Sequence, residues 1–516
     1  MKKNSLLCIF FLVCAFIHSQ EEENILPEFD ADSIFIINSF NFKIDGYTRQ
    51  YALIYKGELK IGEEIQGFAN LEKYIQDKQQ LLMNERVLEK VIVTYTINEE
   101  TENGKYLVDL RIYVKDTWNI VAIPRPKYDS NSGWDVTLKA RDYNFFGTMS
   151  PLRLDLGYIY DEIDERSSFK FELDSNIPFR AFDLDWNIKF FNAFNYRPDT
   201  EQPFYYKNIT GISVELPVKS TIITIGFNEY FLVNDENDDI YQALYGEFQE
   251  GFYMSSNPYV SWKIPTGFEV GEWGELEYTP GLSAAFSHEF PAWQLADIRK
   301  GPVLTLKHNI GFKRVDWIEN FQRGFDVYAS NSFEYNFYKL ERGEFPLLVN
   351  LKFSGTGHFI IKKLFGISSR LMYRQWFYKN QGDISALIES SAGDVLRGIP
   401  DKEIYADCMV SLNMDFPVRV LRFSPSIWFD HPKLRIINFD LHLSPVLDMA
   451  LYHNPVDNTE FSFKNMLVSG GMEIIIFPEF FRSLYLRISP AWNLSPFSGR
   501  SGGELFEFFL GTDFHF

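Results

Sequence analysis

The stretch FDLHLSPVLDMALY, residues 439–452, has one apolar face and one polar face when it is drawn as an extended chain. The apolar face consists of alternate residues, namely Phe439, Leu441, Leu443, Pro445, Leu447, Met449 and Leu451. The opposite face carries Asp440, His442, Ser444, Asp448 and Tyr452. Ordinary globular strands have about 5 to 6 residues, whereas a tilted strand that crosses a bilayer needs about 9 to 11. The length of this alternation predicts a membrane-spanning strand. The alternative is a strand of a β-sandwich with one face exposed to solvent.

The same alternation returns along the chain after Trp118. It is clearest over residues 152–158 and 182–190, where polar or charged residues separate leucines and aromatic rings. Further runs lie near 133–142, 166–175, 204–230, 275–287, 302–315, 324–337, 346–378 and 404–415. Together these runs predict about 14 to 18 antiparallel strands over residues 117–516, which is the signature of a transmembrane barrel.

The composition agrees with a barrel. Hydrophobic residues make up 46% and aromatic residues 17% of the 516 positions, yet the mean hydropathy is slightly negative. After residue 20, no apolar run reaches the about 18 residues that a spanning helix needs. Strands that alternate lipid-facing and lumen-facing residues produce such an average. We therefore predict an all-β transmembrane barrel preceded by a small α+β domain. The formal net charge of −20 argues against nucleic acid as a partner, because phosphate binding needs a basic surface.

Residues 1–20 have the pattern of a secretory signal peptide. A positive start at Lys2-Lys3 precedes an apolar segment over 6–17 and a polar exit, after which residues 21–32 form an acidic linker. A lipoprotein signal ending at Cys14 is the alternative interpretation. Two of the three cysteines lie in this segment, so the exported chain keeps one and has no internal disulfide.

Residues 33–116 have the pattern of a small α+β domain. The expected elements are a strand over 36–44, a helix over 49–56 capped by Thr48, a helix over 71–82, and strands over 91–95 and 107–114. This order, with Gly46 after the first strand and Gly62 between the helices, resembles a POTRA domain. The resemblance implies a periplasmic module that binds client chains by adding a strand to its sheet edge. The family's Gly-x-Phe is replaced by residues 84–88, and an unrelated small α+β domain is the alternative.

A second signature lies in the polar segment Asp394-Val395-Leu396-Arg397-Gly398-Ile399-Pro400, which is followed by Asn413-Met414-Asp415-Phe416-Pro417. The two segments resemble the (V/I)RG(F/Y) loop and the next strand of the BamA/TamA outer-membrane assembly superfamily, which includes two-partner secretion translocators. The resemblance places Leu396, Arg397, Gly398 and Ile399 in a loop inside the barrel lumen. It gives Arg397 the acidic partners Asp415 and Asp448.

The chemistry of such a pairing follows without the family, because a guanidinium inside a narrow lumen is unfavourable unless its donors find carboxylates. Asp448 lies on the polar face of the 439–452 strand and is available to it. A solvated loop arginine is the alternative. Leu396 and Ile399 depart from the family's usual residues, so an aromatic contact at the loop tip is not expected to be preserved.

Three shorter segments agree with the resemblance. Asn144-Phe145-Phe146-Gly147 matches an early hairpin of the family, and Ser469-Gly470-Gly471-Met472 matches a late glycine-containing strand. The last strand looks like the signal by which outer-membrane barrels are recognised for insertion, and it carries Phe508, Leu510, Phe514 and Phe516. Family and length together imply about sixteen strands.

The sequence contains no Gly-x-Ser-x-Gly, no His-Glu-x-x-His and no glycine-rich phosphate loop. We therefore expect no enzyme activity, no cofactor and no metal. The resemblance implies an outer-membrane protein with its N-terminal domain in the periplasm, acting in assembly, insertion or translocation. The implied partners are outer-membrane lipid and unfolded outer-membrane or secreted polypeptides, and accessory lipoproteins stay open. A passive pore or surface receptor is the alternative function.

Overall fold

The structure is a computed structural model, and it describes Phe29 and residues 33–100, 105–129, 133–161, 166–198, 204–233, 252–288, 300–377, 395–399, 404, 406–455, 458–495 and 506–511. The predicted signal peptide, most of the predicted linker, and Phe514 and Phe516 of the predicted C-terminal signal lie outside these residues. No helix among the described residues is long and apolar enough to cross a membrane.

The described residues form two compact units. The first lies within Met1–Asn41, Lys60–Gln76 and Thr94–Arg111. The second lies within Phe42–Leu59, Asp77–Val93 and Ile112–Phe516. The predicted domain limits, 33–116 and 117–516, do not coincide with these units and stay predictions.

The N-terminal segment contributes residues to both units. Its elements are β1 (Ile34–Asp45), α1 (Gln50–Lys56), β2 (Glu64–Gln66), α2 (Phe68–Asn84), β3 (Leu88–Glu100) and β4 (Lys105–Asp116). The strands form a four-stranded sheet in the order β2-β1-β4-β3. The short strand β2 was not predicted, because its one apolar residue, Ile65, gives no alternation to recognise.

In the first unit, aromatic rings form the core. Phe29 packs against Phe35 and Phe68 with ring centroids 5.3 and 5.2 Å apart, and Tyr106 stacks on Phe35 at 5.6 Å. These rings join β1, α2 and β4 within that unit, so burial of aromatic surface holds it together.

In the second unit, the side chain of Thr48 does not cap α1. The helix begins at Gln50, and Arg49 at the N-cap makes no side-chain capping hydrogen bond. The Thr48 hydroxyl instead donates to Asp116 at 2.7 Å, and the Asp116 carboxylate also accepts from the backbone N–H groups of Tyr47 and Thr48. The expected cap is therefore wrong, because a carboxylate at the end of β4 binds the same side chain.

The second unit also contains a closed antiparallel barrel. Its strands are β5 (Ile120–Asp129), β6 (Gly133–Asp142), β7 (Leu152–Asp161), β8 (Arg166–Ala181), β9 (Leu184–Tyr196), β10 (Phe204–Val218), β11 (Thr221–Val233), β12 (Phe252–Glu269), β13 (Glu275–His288), β14 (Val303–Ile318), β15 (Phe321–Asn336), β16 (Leu347–Ile361), β17 (Phe365–Phe377), β18 (Cys408–Asp415), β19 (Val418–Phe423), β20 (Phe439–His453), β21 (Leu467–Pro478), β22 (Leu486–Asn493) and β23 (Phe506–Gly511). Two short helices, α3 (Phe337–Glu341) and α4 (Pro425–Trp428), follow β15 and β19. Strand β23 lies beside β5 and closes the sheet.

Strands β18 and β19 share one position in the barrel. Both pair with β17 and with β20, where Asp415 lies opposite Val446 and Val418 lies opposite Leu443. Pro417 interrupts them, since proline has no N–H to donate. Strands β5 to β23 number nineteen, so the described barrel has eighteen positions. This count exceeds the about sixteen implied by the family resemblance and equals the upper end of the range from the alternation.

The two faces of β20 differ as its sequence predicts. The inner side chains Asp440, His442, Ser444 and Asp448 are buried, whereas Leu443 on the outer face is only partly buried. The outward alternation continues around the barrel, for example at Leu304, Leu306 and Ile310 of β14, which are all exposed. Because the sheet closes on itself, the sandwich alternative is excluded.

Candidate functional site

The candidate site is the loop 395–399, which lies inside the barrel after β17 and before β18. Three of its residues are buried with apolar neighbours: Val395, Leu396 and Ile399 belong to a cluster with Met372, Ile404, Ala406, Met409 and Ala450. Ile399 thus belongs to an apolar cluster, against which Tyr452 and Leu467 also pack. Burial of these side chains fixes the loop against the inner wall.

Arg397 binds Asp448 of β20 through a two-point contact. Its Nε donates to Asp448 Oδ2 at 2.8 Å, and its Nη2 donates to Oδ1 at 2.6 Å. The Arg397 backbone N–H also donates to Asp448 Oδ2 at 2.9 Å. The arginine is 5% exposed and the aspartate 1% exposed. Such a planar fork on a carboxylate fixes the orientation of both groups.

Two further carboxylates meet the same guanidinium. Arg397 Nη1 lies 2.6 Å from Asp415 Oδ1 of β18 and 3.1 Å from Glu473 Oε1 of β21. Because β20 lies between β18 and β21, the three acids come from neighbouring positions of the wall. The loop is therefore bound to the inner face of the C-terminal strands.

Glu473 extends the network to the last strands. Its Oε1 accepts from Arg487 Nη1 at 2.9 Å and from the Ser489 hydroxyl at 3.2 Å, both on β22. The Arg487 guanidinium lies 4.5 Å from the centre of the Phe509 ring of β23, and Arg125 of β5 lies 5.0 Å from the same ring. Both distances suit cation–π contacts. Charged contacts thus run from the loop to the place where the barrel closes.

Gly398 occupies a position where no other residue fits. Its φ is +75°, and an added Cβ would lie 2.8 Å from the backbone carbon of Ala491 and from the backbone nitrogen of Trp492. Its N–H donates to Glu507 Oε2 of β23 at 2.7 Å. The glycine therefore permits the loop to touch the backbone of β22.

Asn413 of β18 supports the loop from its other end. Its side-chain amide donates to the Val395 carbonyl at 2.8 Å, and its Oδ1 accepts from Arg370 Nε and Nη2 at 3.1 and 2.9 Å. A cavity of about 30 Å³ beside Asp415, lined in part by His442 and Ser444, has room for about one water molecule. The barrel interior is packed at this place.

The Asn144–Gly147 hairpin, which the sequence singled out, contacts the segment Tyr47–Arg49 within the second unit. The Asn144 amide donates to the Thr48 hydroxyl at 2.8 Å, and the Gly147 carbonyl accepts from the Arg49 N–H at 2.9 Å. A Cβ at Gly147 would lie 2.2 Å from the Tyr47 carbonyl oxygen. The asparagine and the glycine thus join the connection between β6 and β7 to the start of α1.

The other two sequence-predicted segments lie in the last strands. In β21, a Cβ at Gly471 would lie 2.3 Å from the Pro490 carbonyl oxygen, so this glycine allows close approach of β22. In β23, Phe508 pairs with Pro490 and Leu510 with Ile488, on the face opposite Glu507 and Phe509. Phe508 and Leu510 therefore point outward.

Sequence reasoning missed several charged members of the network, among them Glu473, Arg487 and Glu507. Each stands at an inward position of a strand whose outward neighbours are apolar, such as Met472 and Ile474 around Glu473. An inward charge in an otherwise apolar strand is the signal that could have found them.

The arrangement holds charges close together inside the barrel. It contains arginines, carboxylates and an asparagine, which bind one another. Among the described residues, no group of three or more His, Cys, Asp or Glu side chains is placed to hold a metal ion. The network is suited to fixing a loop inside a barrel.

No protein-family model matches the sequence, and no curated protein matches it. Among solved structures, BamA from Haemophilus ducreyi lacking POTRA domains 1–3 is similar at 14% identity over 93% of this chain and 85% of that chain, with a TM-score of 0.38. CdiB from Acinetobacter baumannii is similar at 12% identity over 92% and 73%, with a TM-score of 0.42. CdiB from Escherichia coli is similar at 7% identity over 96% and 92%, with a TM-score of 0.39. Identities and TM-scores this low do not assign the chain to a family or give it a function.

Proposed function

We propose that this chain is an outer-membrane protein of the BamA/TamA-type superfamily that acts in the assembly, insertion or translocation of client polypeptides. In this proposal the barrel lies in the bacterial outer membrane and the POTRA-like segment lies in the periplasm. Its partners are outer-membrane lipid and unfolded outer-membrane or secreted polypeptides. Accessory lipoproteins are a further candidate class of partner. The protein binds no nucleic acid, cofactor or metal, and it is not an enzyme.

The observation that carries the proposal is the loop 395–399 bound inside the barrel through Arg397. A buried guanidinium adds little to stability compared with apolar packing, because its desolvation offsets much of the attraction to its partners. Closing the barrel sheet does not by itself require a buried arginine. A set of ion pairs that holds a loop inside the lumen is useful in a barrel that controls what passes through it, and the Arg-Gly signature in this loop is the part of the sequence that resembles the superfamily.

The exposed outer face of the barrel supports a place in a membrane. Large apolar side chains stand outward on strand after strand, among them Leu156, Ile212, Ile225, Leu282, Leu306, Phe333 and Leu371. A closed sheet satisfies every strand edge, so its backbone is compatible with lipid. A soluble barrel with this surface would expose a far larger apolar patch than monomeric proteins tolerate.

The edge of the small sheet supports binding of an extended chain. In the described sheet order, β3 stands at an edge and has 13 residues, whereas β2 at the other edge has 3. In the first half of β3, Arg482 donates to the Leu88 and Glu89 carbonyls and the Val93 N–H donates to Gln79, so the second half offers backbone donors and acceptors to a peptide. We assign client capture to β3.

The proposal is tested by placing a photo-crosslinking amino acid at Thr96, an exposed residue of β3, in cells that are synthesising outer-membrane proteins. Crosslinks to unfolded outer-membrane or secreted chains are expected. The matched control is Lys60, which is exposed and lies outside the strands. Equal crosslinking from both positions, or none from Thr96, would contradict client capture by β3.

A passive conduit is the second candidate, and the inward polar side chains of β14 favour it. Lys307 and Asn309 are exposed on the face opposite Leu306, and Lys313 forms an ion pair with Asp326 while remaining largely exposed. This part of the lumen is wetter than the part around Arg397. Ion conductance of the purified barrel in planar bilayers, together with an absence of client crosslinks, would favour this candidate.

A further inference from the structure

The connection between β19 and β20, residues 424–438, presents three consecutive large apolar side chains to its surroundings. Ile427 is 74%, Trp428 58% and Phe429 72% exposed. Ile436 and Ile437, later in the same connection, are also exposed. Such a cluster at the surface indicates an interaction site, because scattered single residues are normal whereas contiguous ones are not.

Hydrogen bonds hold this connection in place. Asn438, which is buried, accepts from the Ser426 N–H at 3.2 Å and donates to the Glu479 carboxylate at 2.7 Å. Arg435 donates to Glu479 at 2.9 Å and to Glu89 at 2.7 Å. The start of the connection is thus bound to its end, and the end is bound to Glu479 and Glu89, so the three apolar side chains are displayed by a defined backbone.

The connection lies against the outward face of the barrel. Phe423 and Phe439 are paired across β19 and β20, on the same face as Leu441 and opposite the buried Asp440 and His442. The Trp428 ring packs edge-on against Phe423, with centroids 5.1 Å apart and an interplanar angle of 86°. Trp428 therefore sits on the outer surface, where the apolar band of the strands ends.

We propose that residues 424–438 form a membrane-surface anchor, in which Ile427, Trp428 and Phe429 enter the interfacial layer of the bilayer. This inference rests on the proposal that the barrel spans a membrane. The occupant is lipid because the cluster continues the apolar outer face, on which Val420 and Leu421 of β19 are also exposed. A tryptophan at the end of a spanning strand suits the interface, since its ring is apolar and its N–H is polar.

The anchor gives the barrel a fixed depth and tilt at the end where these strands turn. It also connects to the N-terminal part of the second unit, since Arg435 of the same connection binds Glu89 of β3. The partner that the anchor binds is a fluid phospholipid surface.

The test uses the full chain with Cys408→Ser and a single new cysteine at Ile427 or Phe429, labelled with an environment-sensitive fluorophore. The protein is reconstituted in phosphatidylcholine–phosphatidylglycerol vesicles that carry a nitroxide lipid labelled near the headgroup. Blue-shifted emission and strong quenching by the nitroxide lipid are expected at both positions. The matched control is Ser220→Cys, an exposed residue in the turn between β10 and β11 at the same end of the barrel, where weak quenching is expected.

Leu443→Cys, on the outer face of β20, separates the two proposals. Strong quenching at Leu443, together with quenching at Ile427 and Phe429 as weak as at Ser220, overturns the anchor and remains consistent with the membrane barrel. A label at Leu443 that is quenched neither by the headgroup nitroxide lipid nor by a lipid with its nitroxide on the acyl chain overturns the membrane barrel, and the anchor with it. Labels at 427 and 429 that are shielded only after addition of other membrane proteins would also overturn the lipid assignment, because the occupant would then be a protein.

Discussion

Arg397→Ala removes the one cation that contacts all three acids of the loop site. Asp448 then loses both side-chain hydrogen bonds from the guanidinium, and Asp415 loses an ion pair of 2.6 Å, while Glu473 keeps Arg487. Removal of one partner from a buried pair costs about 3 to 5 kcal/mol, because the remaining charge is left without compensation. Arg397 is 5% exposed, so we expect a loss of this size in the free energy of unfolding.

The measurement is urea unfolding of the barrel in lipid vesicles, followed by tryptophan fluorescence and by the heat-dependent shift in gel mobility. Arg397→Lys keeps the charge but lacks the planar fork, so an intermediate loss of about 1.5 to 3 kcal/mol is expected. The matched control is Arg153→Ala, since the Arg153 side chain is 56% exposed and pairs with Asp174 at 3.3 Å. An exposed pair contributes about 0 to 1 kcal/mol. If Arg397→Ala lost no more than Arg153→Ala, the loop would not be held by this network.

Three further predictions address the loop, the outer face and the small sheet. Gly398→Ala should weaken heat-stable migration of the barrel on a gel, whereas Gly267→Ala, which has a similar φ of +76° but no atom near its Cβ, should have a smaller effect. Leu443→Lys should destabilise the barrel by about 2 to 4 kcal/mol in vesicle unfolding if it lies near mid-membrane; an unchanged midpoint would contradict an outward Leu443. Hydrogen bonds from Ser39, Asn98 and Asn38 lower the pKa of Asp109 below its ordinary 3.8. The stability that these bonds contribute is therefore fully present above pH 3.8 and is lost as the pH falls through the lowered pKa of the folded state. Hydrogen exchange of β1 and β4 should therefore differ between Asp109→Asn and the parent at neutral pH, with a smaller difference near pH 2.

The alternation in the sequence determines which face of each strand is apolar, but it does not show how full the lumen is. Ser444 and Asp448 were expected on the inner face, and both are there. Alternation alone would give Ser444 a wet environment, yet it is fully buried and its hydroxyl accepts from the Phe416 N–H at 3.1 Å. Whether an inward position meets water or packed groups depends on which distant segment folds against it, for Ser444 the segment around Phe416, and a local pattern does not contain this.

The alternation predicted the strand count only as a range, about 14 to 18, for a similar local reason. The runs 204–230 and 346–378 each contain a hairpin, and their turns lack the glycine or asparagine that usually marks one. Lys219 and Lys362 instead adopt the left-handed conformation, with φ of +57° and +53°. Tight pairing of the flanking strands stabilises these lysines in a conformation that their own propensity does not favour.

The contacts of the loop 395–399 determine with which strands the loop would move in a conformational change of the barrel. Asp415, Asp448, Glu473 and Glu507 all belong to strands from β18 onward, so the loop is bound to the C-terminal side of the closing point. Of the contacts traced from the loop, the one that reaches β5 is Arg125 over Phe509, and a cation–π contact is worth about 0.5 to 2 kcal/mol. Separating Arg397 from its buried carboxylates would leave them uncompensated, at a cost of about 3 to 5 kcal/mol. A separation of β23 from β5 would therefore leave the loop attached to the C-terminal strands.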